Sequence, residues 1–249
     1  MPTWAIHLAT AKKVSEKINI DKNIFTFGNI LPDIPNEYVV QEITHHISHA
    51  RTHFEVDVLI VEHMEKRYDL RNFAEKYKSK FSNPLMLGYY VHLLTDYFWN
   101  DKTYGEHGIY DEEKNRIGLI LNDGERILCS KEKARQIKTH DFRVFSKYIY
   151  DNQLTDKPEY QEEIRDYLKE IDWITLEQSD IEKTIKYISD RCTRKAQVLE
   201  NGESTEYKIY SEKEMLELID ISVEFILKMI KKHANDVLKN NEDNEMRNQ

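Results

Sequence analysis

The residues best suited to chemistry are imidazoles and carboxylates, and they fall into two clusters. The first is His92-Leu-Leu-Thr-Asp96. On a helix these two side chains lie one turn apart and project from one face. The residues around them, from Leu85 to Phe98, are otherwise almost wholly apolar. An isolated buried charge is too costly, so both groups need partners. A divalent cation satisfies both; a buried His–Asp hydrogen bond that only orders the helix is the structural alternative. Gly88, one turn before His92, is expected to leave room above it for another group. The second cluster is Thr44-His-His-Ile-Ser-His-Ala-Arg-Thr-His-Phe54. If this segment is helical, His45, His49 and His53 form a ladder on one face and His46 points elsewhere. Imidazole is the commonest ligand for zinc-like ions; a polar, solvated helix end is the alternative. His7 sits among Trp4, Ile6 and Leu8, where a lone histidine is more often a satisfied core residue. Asp33 lies in Leu31-Pro-Asp-Ile-Pro35, where flanking prolines are expected to hold the backbone extended and present the carboxylate into a cleft. Pro-Asp is also routine turn chemistry.

These residues need helices to position them. Apolar residues at three- and four-residue spacing predict helices over Trp4 to Ile18, Ala50 to Glu65, Leu70 to Lys80, Pro84 to Asn100, Thr139 to Asn152 and Tyr160 to Glu170. Thr175 with Gln178 and Ser211 with Glu214 read as capping boxes, opening helices towards Arg191 and Leu238. Two segments break the pattern. Asn122-Asp-Gly124 and Asn201-Gly202 predict hairpins over Arg116 to Cys129 and Ala196 to Tyr210. The expectation is one mainly α-helical domain over residues 1–238, with small β-hairpin insertions. Residues 239–249 are polar and are expected to be a disordered tail.

Composition narrows the function. Lys and Arg number 36 against 45 Asp and Glu, a formal charge of −9. Stable nucleic-acid binding wants a basic surface, and an anionic membrane wants the same. Only 7 Gly and 5 Pro occur, as suits a helical chain. Two cysteines, Cys129 and Cys192, exclude a disulfide framework and suit reduced thiols in the cytoplasm. No apolar run reaches the roughly 20 residues of a transmembrane helix, and no leader pattern is expected from Met1-Pro-Thr-Trp4.

The order of short motifs carries a resemblance. Trp4-Ala-Ile-His-Leu8, Gly28-Asn-Ile-Leu-Pro-Asp33, Thr52-His-Phe54 and Gly88-Tyr-Tyr-Val-His-Leu-Leu-Thr-Asp96 resemble the zinc-dependent phospholipase C family, over roughly residues 1–100. The resemblance implies a helical bundle with up to three zinc ions in a cleft. It implies that His7 binds one zinc, that Asp33, His53 and His92 bind another, and that Asp96 bridges the two. Asp33 is also the implied general base towards an attacking water. His49, one turn from His53, ligates or supports it, and His45 is its rival if the register is shifted. The implied activity is metal-dependent hydrolysis of a phosphodiester or phosphomonoester, lipid or nucleotide. The secreted relatives use a processed N-terminal amine as a ligand, which a Met-Pro start does not supply. Their third zinc takes a His-x-x-x-Glu pair, but the residue four after His140 is Val144. Two zinc ions are therefore expected, with any third site rebuilt around His107, His140 or Asp141. The same ligands accept Mn2+ or Fe2+. An HD-type phosphohydrolase using His140-Asp141 is one alternative, and a non-catalytic metal-binding helical protein with a degenerate site is another.

Overall fold

The computed structural model describes residues 2–60, 63–193, 199 and 203–233, and for 57–60 and 63–67 the backbone alone. The fold is mainly α-helical. Two helices are hydrophobic nearly all round, and such helices belong in the middle of a protein. One is α1 (Trp4–Ser15), buried continuously from Trp4 to Ala11. The other is α5 (Pro84–His107), buried continuously from Pro84 to Asp96. Asn83 caps α5, its side chain accepting from the amides of Leu85 and Met86 at 2.9 and 3.2 Å, and Pro84 fills the first turn. The helix runs two turns beyond the expected Asn100. Between them lies α2 (Lys22–Ile30), capped by Asp21 on the amide of Ile24.

Helices α2 and α5 cross with their backbones in contact. A Cβ on Gly28 would sit 2.3 Å from the Leu85 carbonyl oxygen, and one on Gly88 would sit 2.2 Å from that of Phe25. The space above Gly88 is thus filled by α2 itself, not left for another group. The segment after α2 also differs from expectation. Leu31–Asp33 is a 3-10 turn continuing the helix, so Asp33 is presented from helical backbone. Proline suits the first positions of such a turn, and Pro32 occupies one.

The largest correction concerns Ala50 to Glu65. Only α3 (His49–Thr52) is helical there. Phe54 has φ 52°, in the left-handed region, and ends it. The chain then forms β1 (Glu55–Ile60), paired antiparallel with β2 (His63–Tyr68), with Glu55 opposite Tyr68. Val56, Val58 and Ile60 are β-branched and favour a strand over a helix. The three-step histidine ladder is thereby reduced to His49 and His53.

The remaining elements follow expectation with shifted ends. Helix α4 (Leu70–Tyr77) leads to a 3-10 turn at Lys78–Lys80. Strands β3 (Gly108–Tyr110), β4 (Arg116–Ile120) and β5 (Arg126–Leu128) form one antiparallel sheet. Gly124, at φ 85°, makes the predicted turn, and β3 adds a strand that the sequence reading lacked. Helix α6 (Lys131–Asp151) starts two turns before Thr139, on a Ser130 cap. Helices α7 (Glu162–Leu168) and α8 (Gln178–Cys192) follow. The capping box of α8 is Glu177 with Asp180, not Thr175 with Gln178. Helix α9 (Glu212–His233) opens on the expected Ser211–Glu214 box. Residues 234–249 lie outside the described residues, as do 196–198 and 200–202 of the second predicted hairpin. Among the described residues from 203 to 210 no strand forms. One hydrophobic core, from Trp4 to Ile230, joins these helices.

Candidate metal centre

Four separated segments bring their polar side chains to one point. His7 comes from α1, Asp33 from the 3-10 turn, His49 and His53 from α3 and its end, and His92 and Asp96 from α5. His7, His53, His92 and Asp96 have no exposed surface, and Asp33 is 3% exposed. His53 Nε2 lies 3.1 Å from His92 Nε2, 3.4 Å from Asp33 Oδ1 and 3.5 Å from Asp96 Oδ2. His92 Nε2 lies 3.7 Å from Asp96 Oδ2 and 3.9 Å from Asp33 Oδ2. His7 Nε2 lies 3.3 Å from Asp96 Oδ1. The rings of His7 and His92 stack, as do those of His49 and His53.

Backbone carbonyls orient the two central imidazoles. His92 Nδ1 donates to the Asn29 carbonyl at 2.7 Å. His53 Nδ1 donates to the His49 carbonyl at 3.2 Å and lies 3.0 Å from Thr52 Oγ1. A carbonyl can only accept, so in the neutral rings both Nδ1 atoms carry the proton and both Nε2 atoms present lone pairs to the centre. The Gly28–Gly88 crossing puts the Asn29 carbonyl within reach of His92. The Asn29 side chain reinforces it, donating to the His7 carbonyl at 2.9 Å and accepting from the His92 amide at 3.1 Å. Trp4 Nε1 donates to Asp33 Oδ2 at 2.9 Å. The Tyr89 hydroxyl donates to the Thr52 carbonyl, and His49 Nδ1 lies 3.0 Å from Glu55 Oε1.

The electrostatics favour charged carboxylates and a neutral His92. Burial and the neighbouring His7 push His92 down to about 3. Burial opposes ionisation of Asp33, but His92 and His53 overcome it and hold the carboxyl well below its usual range. Asp96 is likewise held low against burial, by His7 and His92. Burial lowers His53, yet Asp33 and Asp96 more than compensate and raise it. Burial and His53 lower His49.

These groups fit a divalent cation. Both nitrogens of His7 and both oxygens of Asp96 are buried without a hydrogen-bond partner among the described residues. Buried polar atoms are normally paired, and unpaired ones cost stability. Two Nε2 lone pairs facing each other at 3.1 Å also need a proton or a cation between them. Three overlapping groups could hold metal: His7, Asp33 and His92; Asp33, His49 and His53; His53, His92 and Asp96. Nitrogen and carboxylate donors without sulfur suit zinc and its neighbours.

The other sequence candidates lie elsewhere. His45 is exposed and 3.5 Å from Glu177, and His46 is exposed in the loop before α3. His107 Nδ1 donates to the Ile120 carbonyl. His140 contacts Glu203 and the Glu206 carbonyl. Asp141 accepts from the amides of Lys208, Ile209 and Tyr210 at 2.8, 2.7 and 3.2 Å. The His140-Asp141 dyad therefore fastens the chain before α9 to α6, and none of these residues enters the three groups. Sequence reasoning missed Asn29, Glu55 and Tyr68. Burial and the carboxylates of Asp96 and Glu55 hold the Tyr68 phenol well above its ordinary range. Asn29 had a signal, since it follows the glycine that permits the helix contact. Glu55 and Tyr68 face each other only through the β1–β2 register, which the helical reading of that segment concealed.

A mainly helical chain with a buried set of histidines and aspartates is compatible with a metal-site protein. The family model described as "Zinc dependent phospholipase C" matches residues 3–174, and the chain belongs to the zinc-dependent phospholipase C family. Neither a curated protein nor a solved structure gives a significant match.

Proposed function

We propose that this protein is a metal-dependent phosphoesterase, hydrolysing a phosphodiester or phosphomonoester from a single domain over residues 1–238. The observation that carries the reading is the buried convergence of His7, Asp33, His53, His92 and Asp96, in which His7 and Asp96 lie 3.3 Å apart yet make no hydrogen bond, beside His53 and His92 Nε2 atoms 3.1 Å from each other. His7, Asp33, His49, His53, His92 and Asp96 would hold two zinc ions, or Mn2+ or Fe2+ in their place. Bound there, such ions supply positive charge to the phosphoryl oxygens and acidify a water. Asp33 is the general base in this reading. The Trp4 indole fixes one of its oxygens, and the imidazoles around it keep the carboxyl ionised, the form a base must have. Tyr68 stays protonated and lines the same cleft beside the Asp96 carboxylate. Burial of the cluster excludes bulk water from all but the cleft side. The free thiols Cys129 and Cys192 support action in a reducing compartment such as the cytoplasm.

The test is metal content and hydrolysis of bis-p-nitrophenyl phosphate and p-nitrophenyl phosphate. The zinc-loaded wild type is expected to turn over at least one, and Asp33→Asn to lose about 100-fold or more in kcat. A chain that purifies without metal and takes up none overturns the reading.

A further inference from the structure

We infer that the substrate carries a second anionic group beside its scissile phosphate, seated on arginines that wall the cleft. The inference rests on the phosphoesterase reading and names its substrate class. A cavity of about 660 Å³ opens beside Asp33 and His49. One wall is a single face of α6, carrying Arg135, Thr139, Arg143, Ser146 and Tyr150 at steps of four, four, three and four residues. Arg135 and Arg143 are two turns apart, about 12 Å along the axis. Another wall is α8, which contributes Tyr187 and, one turn on, Arg191.

The charge along this cavity is lopsided. Its two lining carboxylates, Asp33 and Glu55, are on the metal side, and Glu55 is engaged by His49. The three guanidinium groups are on the α6 and α8 walls, in a chain whose formal charge is −9. Acids outside the cavity lining brace Arg135 and Arg143. Glu132 contacts Arg135 at 3.0 and 3.1 Å, and Glu203 contacts Arg143 at 2.6 Å. A braced guanidinium fork is suited to phosphate or carboxylate. Tyrosine faces in the cleft could in principle receive a quaternary ammonium. However, the Arg191 guanidinium already lies over the Tyr187 ring, 5.1 Å from its centroid. A choline head group would meet a cation there, whereas a second phosphate or carboxylate would meet its complement.

The matched probes are 3-phosphoglycerate and phosphocholine. Both are phosphomonoesters, one with a carboxylate and one with a trimethylammonium as its second group. Titration calorimetry on the zinc-loaded full chain is expected to show 3-phosphoglycerate binding about tenfold tighter. Arg143→Gln and Arg191→Gln should each bring that ratio close to one, and Arg135→Gln should reduce it. Arg135 is two-thirds exposed, so its variant keeps the test alive if a more buried one fails to fold. Phosphocholine binding as tightly as 3-phosphoglycerate, or a ratio unchanged in all folded variants, overturns the inference. The ratio is read with or without turnover, so failure to hydrolyse any phosphoester refutes the proposed function and leaves the cleft to be judged on binding. Turnover of dihexanoyl phosphatidylinositol 4-phosphate would put the second anion on a lipid head group, and turnover of 3-phosphoglycerate on a soluble molecule; both support the inference. Faster cleavage of dihexanoyl phosphatidylcholine than of either overturns it.

Discussion

Replacing Asp96 by asparagine exchanges one oxygen for an amide nitrogen at a site with no exposed surface. The volume is unchanged, so the core around α5 need not repack. What is lost is a negative charge 3.3, 3.5 and 3.7 Å from nitrogens of His7, His53 and His92, which between them enter all three candidate metal groups. Loss of even an indirect partner of a metal typically costs 10- to 100-fold in affinity, so a direct one should cost about 100-fold or more. At free zinc 100 times the wild-type Kd, binding stabilises the folded state by about 2.7 kcal/mol. In the variant the same zinc only equals the new Kd, and the stabilisation falls to RT ln 2, about 0.4 kcal/mol. For a chain of this size about 2–4 °C accompanies each kcal/mol. Zinc should therefore raise the wild-type melting temperature by roughly 5–11 °C over the chelated protein, and that of Asp96→Asn by no more than about 2 °C. Differential scanning calorimetry with buffered zinc and with EDTA measures both shifts. Equal shifts in the two proteins, or none in the wild type, would refute the assignment of Asp96 to the centre.

Gly88→Ala places a methyl 2.2 Å from the Phe25 carbonyl oxygen and should cost about 3 kcal/mol in urea unfolding, with zinc uptake impaired as α2 is displaced. Asp141→Ala strands three backbone amides and should destabilise by a similar amount, about 3 kcal/mol, while metal analysis finds the zinc content unchanged. Loss of metal in that variant would return the His140-Asp141 dyad to the site. Burial pushes Lys138 down to about 8 from 10.5. Its folded pKa is depressed, so the unfolded chain binds more protons between those values and stability rises with pH in that window. The cost is present nearly in full below pH 8, so the stability difference between wild type and Lys138→Met, from urea unfolding, should change by about 2–3 kcal/mol between pH 7.5 and pH 10. A constant difference would place Lys138 in contact with solvent.

What was legible in the sequence was local. Ser211 and Glu214 announce their helix because a capping box is a contact between residues three apart. His92 and Asp96 announce a shared face because the helix period fixes it. Asp33 was marked by its prolines, yet Pro32 can open a 3-10 turn as readily as it extends a chain, and the continuation of α2 decided between them. Apolar residues and histidines at suitable spacings predict a helix over residues 50–65. The β-branched Val56, Val58 and Ile60 favoured a strand instead, and the left-handed Phe54 ended the helical turn. The contact between Asn29 and His92 spans 63 residues and had no local signature beyond two glycines. The arginine face of α6 has a helical period, but only packing decides whether such a face meets solvent or a cleft.

Where α2 meets α5 through glycine, no layer of side chains intervenes that could compress or relax. The spacing between Asn29 and His92 is accordingly a rigid gauge, set by touching main chains. With an ion bound as proposed, the imidazole on that side would have little freedom to follow a change in ionic radius. His49 and His53 sit instead on a four-residue helix leading into a hairpin, where no such main-chain contact between long helices sets their position. On the proposed reading, discrimination among divalent ions would rest chiefly on the side of the centre held by the α2–α5 crossing.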